Sequence, residues 1–126
     1  MDAGQLSLTR RALLAGACAA PVAAAVPASD GRKRVEERWR RAVARYASAD
    51  AALLAAAGTG DEDLYDRLGD RYDAALTRLL RSPVPDMAAL VVKLDLLVEQ
   101  QAWELTDGDL CLAALREDAH RLAAVA

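Results

Sequence analysis

The chain has 126 residues, enough for one domain, and 54% of them are hydrophobic, which excludes a disordered chain. Much of that fraction is alanine, there is no Phe and aromatics reach only 4%, so the core has to be built from Leu, Val and Ala on helices. A net charge of −3 made of mixed signs argues against bulk electrostatic capture of nucleic acid, which goes with a strongly basic domain.

Residues 1–11 are polar and end in Arg10-Arg11, residues 12–25 carry no charge and are mostly Ala and Leu, and Val26-Pro27-Ala28 supplies a small-residue cleavage site. This is the order of an export signal, and its apolar stretch is too short to span a hydrocarbon core of ~30 Å as a helix. Thr9-Arg10-Arg11-Ala12-Leu13-Leu14 resembles the twin-arginine signal: a hydroxyl residue, two arginines, any residue, then two apolar ones. The resemblance implies export by the twin-arginine translocase through Arg10, Arg11, Leu13 and Leu14, with cleavage near Ala28 and a periplasmic or secreted product. A cytoplasmic protein with an incidental Arg-Arg pair is the alternative. Lipid attachment at Cys18 is disfavoured, because Ala15 stands where a lipid box needs a large aliphatic residue. The division expected is a signal segment at 1–28 and a helical domain at 29–126. That domain holds one cysteine, Cys111, so no disulfide can close within it.

Four helices follow. The first is expected from Ser29 or Asp30 to Ala57, stopped by Gly58 and Gly60, with Val35, Trp39, Ala42, Tyr46, Ala49, Leu53 and Ala56 inward at alternating spacings of three and four. Thr59 and Glu62 have capping-box spacing for a second helix, which Pro83 and Pro85 end near Arg81. Its inward set is Tyr65, Leu68, Tyr72, Ala75, Leu76 and Leu79. The third, from Asp86 to Glu104, carries Met87, Leu90, Val91, Leu94, Leu97 and Val98 on one face. Thr106 or Asp107 caps a fourth reaching Ala124, with Cys111, Leu115, Leu122 and Val125 as its stripe. No segment alternates as a strand does. Short connections favour antiparallel neighbours, so the fold class is all-α, an up-down four-helix bundle, or else a three-helix core with a long, loosely docked first helix.

The segment from Ser82 to Leu94, Ser-Pro-Val-Pro-Asp-Met-Ala-Ala-Leu-Val-Val-Lys-Leu, resembles one that recurs in small uncharacterised bacterial helical proteins with arginine-rich leaders. The resemblance implies no activity.

Catalytic constellations are scarce. Cys111 and His120 are nine residues apart, which at about 100° per residue puts them on opposite faces of one helix and prevents a Cys–His pair within a monomer. Glu117-x-x-His120 has the spacing of one arm of a di-iron site, but a single histidine cannot furnish the second. Asp61-x-Asp63 lacks the oxygen ligand and glycine of a calcium loop, and Gly58-x-Gly60 lacks the third glycine of a dinucleotide loop. No catalytic, metal or cofactor site is nominated, and binding or scaffolding is expected rather than an enzyme.

Two surfaces are candidates. Val92, Leu96 and Trp103 lie on the side of the third helix away from its main seam, and would be covered by a neighbouring helix or by a second copy of the chain. In an up-down arrangement the start of helix one lies beside the end of helix two. With helices three and four arranged likewise, that gathers Arg32, Lys33, Arg34 and Arg38 with Arg78, Arg81, Arg116 and Arg121 into a basic pole, and Asp61, Glu62, Asp63 and Asp66 with Glu99, Glu104, Asp107 and Asp109 at the opposite end. The alternative function is then a cytoplasmic accessory protein whose basic first helix binds an acidic partner.

Overall fold

A computed structural model describes residues 30–125 of the chain, which form α1 (Asp30–Ala57), α2 (Glu62–Arg81), α3 (Met87–Glu99) and α4 (Gly108–Val125). A short 3-10 turn, Ala102–Glu104, lies between α3 and α4, and no strand occurs among the described residues. The protein is therefore an all-α helical bundle. Arg10, Arg11, Leu13, Leu14 and Ala28 lie outside the described residues. Among the described residues no helix is long and apolar enough to cross a membrane.

α1 and α2 form an antiparallel hairpin, closed by the turn Gly58-Thr59-Gly60, in which Gly60 takes a left-handed φ of 75° that favours glycine. Asp61, not Thr59, caps α2: its carboxylate accepts the Leu64 N–H at 3.1 Å. The Thr59 hydroxyl turns back instead and donates to the Ala56 carbonyl at 2.8 Å, closing α1. At its far end α2 stops because Ser82, which precedes Pro83, is extended (φ −74°, ψ 137°), the conformation a following proline favours. Asp86 then caps α3 by accepting from the Ala89 N–H at 2.8 Å.

The third helix is shorter than its periodicity suggests. Gln101 adopts the left-handed conformation (φ 47°, ψ 51°), so the chain breaks after Glu99 and makes a separate 3-10 turn. Gly108 opens α4 against that turn, where a Cβ would stand 2.7 Å from the carbonyl oxygens of Ala102 and Trp103. Only glycine admits this approach.

The core is continuous. α1 supplies Trp39, Ala42, Val43, Tyr46 and Ala49, α2 supplies Ala75, Leu76, Leu79 and Leu80, and the other half adds Val84, Leu90, Val92, Leu96, Leu97 and Cys111. At roughly 1.5–3 kcal/mol for each fully buried large aliphatic side chain, this is the main stabilising term. The first helix is thus part of the bundle rather than loosely docked, although no Cα of it comes within 8 Å of α3 or α4. Its long side chains bridge the gap: the Trp39 ring centroid lies 5.9 Å from Lys93 Nζ.

α3 is rotated from the face expected. Of the six residues assigned to its seam, only Leu90 and Leu97 are buried, while Met87, Val91, Leu94 and Val98 are exposed. Val92 and Leu96 are interior, so neither belongs to a contact surface with a second molecule, and of that trio only Trp103 is exposed. Tyr65 of α2 and Val125 of α4, also expected inward, are exposed as well. The inner face of α3 that results includes Lys93, which is wholly buried there and paired with Asp118.

Candidate functional site

Lys93 is 0% exposed and Asp118 2%, and the two form an ion pair between α3 and α4. The ammonium also donates to the Ser82 carbonyl at 2.6 Å and faces the Trp39 ring, which occupies its remaining direction. Asp118 is equally well used: Oδ1 accepts from the Val84 N–H at 3.2 Å and from Arg121 at 2.8 Å. One carboxylate and one ammonium therefore tie together α3, α4 and the Ser82–Asp86 link, and the Ser82–Leu94 segment is the stretch that this knot closes. Burial pushes the Lys93 ammonium below its ordinary 10.5, against the hydrogen bond and charge of Asp118 that pull it up. Neither group faces solvent, so the knot is a structural device.

A different set of cations lines an open cleft of about 780 Å³ between α1 and α2. Arg38, Arg41 and Arg45 descend one face of α1 at spacings of three and four, and Arg78 and Arg81 stand on the last turn of α2. The register is fixed by the Tyr46 and Tyr72 hydroxyls, which share a hydrogen bond of 2.9 Å. It puts Arg45 level with Asp73, Arg41 level with Thr77 and Arg38 level with Arg81. The third wall is Leu105-Thr106-Asp107, the end of the α3–α4 connection. Five arginines thus meet two aspartates. Arg41 is paired with Glu37 at 3.0 Å, but Arg38, Arg45, Arg78 and Arg81 make no ion pair among the described residues.

The structure brings Arg38, Arg78 and Arg81 of the expected basic pole into this cleft and adds Arg41 and Arg45, whereas Arg34 lies outside its lining. Asp107, expected at the opposite end, lines the same cleft, because α3 ends early and its connection returns beside α2. Asp61, Glu62 and Asp66 do gather at the α1–α2 turn, around a smaller hollow. Arg121 stands beside the α2–α3 link, outside the cleft lining, where it closes the outer side of the Asp118 carboxylate.

Cys111 is fully buried and burial pushes its thiol above the ordinary 9.0, so it is not an activated nucleophile. His120 is exposed on the other side of α4. Among the described residues no cluster of three or more His, Cys, Asp or Glu is placed to hold a metal ion. Neither Lys93 nor Asp118 was expected from the sequence, and their only signals were a lysine inside the most apolar helix and an aspartate on a short apolar stripe.

No protein-family model, no curated protein and no solved structure matches this chain.

Proposed function

We propose that the chain is a small exported helical protein that acts by binding rather than catalysis, and that the arginine cleft holds its anionic partner. One observation carries the reading: four arginines that make no ion pair among the described residues converge on one concave surface from two helices. Guanidinium groups kept apart from their own carboxylates repel one another, and a bound anion relieves that repulsion. The export half rests on the leader alone, on Arg10-Arg11 and the apolar stretch behind them.

Binding of soluble polyglutamate to the full chain at two salt concentrations tests the cleft, with Arg38→Glu plus Arg81→Glu as control. Salt-sensitive binding that the substitutions abolish supports it, and binding indifferent to both refutes it. Cell fractionation with Arg10→Lys plus Arg11→Lys tests export: precursor should accumulate in the cytoplasm. A wild type that never leaves the cytoplasm favours the second reading, an accessory protein using the basic face of α1 (Arg38, Arg41, Arg45) on an acidic partner.

A further inference from the structure

We propose that the ligand of the arginine cleft is a compound carrying at least two phosphate groups; this rests on the reading of the cleft as an anion site and names its chemistry. The cationic donors are all arginine, whose planar fork gives paired hydrogen bonds to phosphate or carboxylate oxygens. The direction of approach separates those two anions. A carboxylate is planar and takes its donors near one plane, while a phosphate presents three terminal oxygens in a tetrahedron. The cleft offers donors from three walls: Arg38 on α1, Arg78 and Arg81 on α2 with the Thr77 hydroxyl, and the Thr106 hydroxyl on the α3–α4 connection. Neither hydroxyl makes a hydrogen bond among the described residues. The Ser82 hydroxyl is excluded from the set because it already donates to the Arg78 carbonyl at 2.7 Å.

Spacing sets the number of phosphates. Arg38 and Arg45 are seven residues apart on one helix, a rise of about 10 Å, which is longer than one phosphate can bridge. Arg38 stands level with Arg81 and makes no ion pair, so the end where Arg38, Arg78 and Arg81 meet takes one phosphate, and a second lies towards Arg45. Asp73, beside Arg45, accepts from a hydroxyl or amine on the rest of the ligand. The volume of about 780 Å³ falls in the range of small-ligand sites, roughly 300–1,000 Å³. Such a ligand is available either as a free oligophosphate or sugar phosphate, or as a phospholipid headgroup.

The test uses the full chain and three probes: inorganic tripolyphosphate by titration calorimetry, polyglutamate at matched charge, and vesicles of phosphatidylcholine with and without cardiolipin, whose headgroup carries two phosphates. Tripolyphosphate should bind more tightly than polyglutamate, and Arg78→Gln plus Arg81→Gln should weaken it by roughly tenfold or more while leaving a cooperative thermal transition. Arg38→Gln plus Arg45→Gln repeats the test from the other wall should the first variant fold poorly. Binding to cardiolipin vesicles without binding to tripolyphosphate assigns the phosphates to a lipid and keeps the proposal. Equal affinity for polyglutamate and tripolyphosphate overturns it but leaves the anion-binding reading intact. Failure of all three probes, or binding that both variants retain, overturns both.

Discussion

Lys93 and the cleft arginines are cationic side chains on the helices of one bundle, and the protein treats them in opposite ways. Lys93 is taken out of water and given Asp118, the Ser82 carbonyl and the Trp39 ring. Arg38, Arg45, Arg78 and Arg81 are left in water and make no ion pair among the described residues. The first arrangement turns the two hydrogen bonds of the cation and its aromatic contact to the fold. The second leaves hydrogen-bonding directions open towards a concave surface. A cation fully satisfied inside the protein has nothing to offer a partner, and a cluster of unsatisfied ones adds little to stability. Disturbing the knot should therefore unfold the protein, and disturbing the cleft should alter only what it binds.

The largest effect is expected at the knot. Asp118→Ala leaves the Lys93 ammonium buried without its counter-charge and should destabilise the fold by about 3–5 kcal/mol in denaturant unfolding. Lys93→Met combined with Asp118→Leu removes both charges and should recover a substantial part of that loss. If the double variant is no better than Asp118→Ala, the pair is not the reason Lys93 lies inside.

Next comes a contrast between the two faces of α3. Leu96→Ala, at a position 1% exposed, should cost about 2–5 kcal/mol, whereas Val98→Ala, at a position 65% exposed, should stay within about 0.5 kcal/mol. The reverse result would restore the face that periodicity alone favours. Sedimentation of Val98→Asp beside the wild type shows whether the exposed stripe Met87, Val91, Leu94 and Val98 carries a second copy of the chain.

A smaller effect is a slope in pH. Lys93 has a folded value below its unfolded 10.5, so between the two the unfolded chain binds more protons and stability rises with pH. The contribution is complete above 10.5 and is lost as the pH falls through the folded value. Cys111 has the opposite sign: its folded value lies above 9.0, so its contribution is present below 9.0 and is lost as the pH climbs. Subtracting Lys93→Met from the wild type largely cancels Cys111, and the difference should move in favour of the wild type as the pH approaches 10.5. A difference that is flat with pH would mean that Lys93 does not feel its burial.

The smallest effect is expected at the cleft. Arg78 and Arg81 sit in the last turn of α2, where each adds about 0.3–1 kcal/mol by opposing the helix dipole. Replacing either by Gln should lower stability by no more than that.

The hairpin half was legible in the sequence because its signals are local. Gly58, Gly60 and Pro83 mark the ends of α1 and α2, and the antiparallel hairpin they imply brings Arg38 of one helix near Arg78 and Arg81 of the other. The α3–α4 half was less legible because its determinants are not local. Nothing near Gln101 announces a left-handed residue, since no glycine or proline stands there, and so α3 reads too long. The partner of Lys93 is Asp118, 25 residues away, and no local pattern announces that pair. The early stop of α3 also brings Thr106 and Asp107 into the arginine cleft as a wall no periodicity could supply.

The central claim, that one set of cations builds the fold and the other is held open for a ligand, is tested most directly by thermal unfolding of a variant with Arg38, Arg45, Arg78 and Arg81 all replaced by Gln, with and without tripolyphosphate. The account predicts a cooperative transition no more than about 8 °C below the wild type in the absence of ligand, and a rise on adding tripolyphosphate in the wild type only. A variant that is unfolded at room temperature, or one that keeps the full ligand-induced rise, would contradict it.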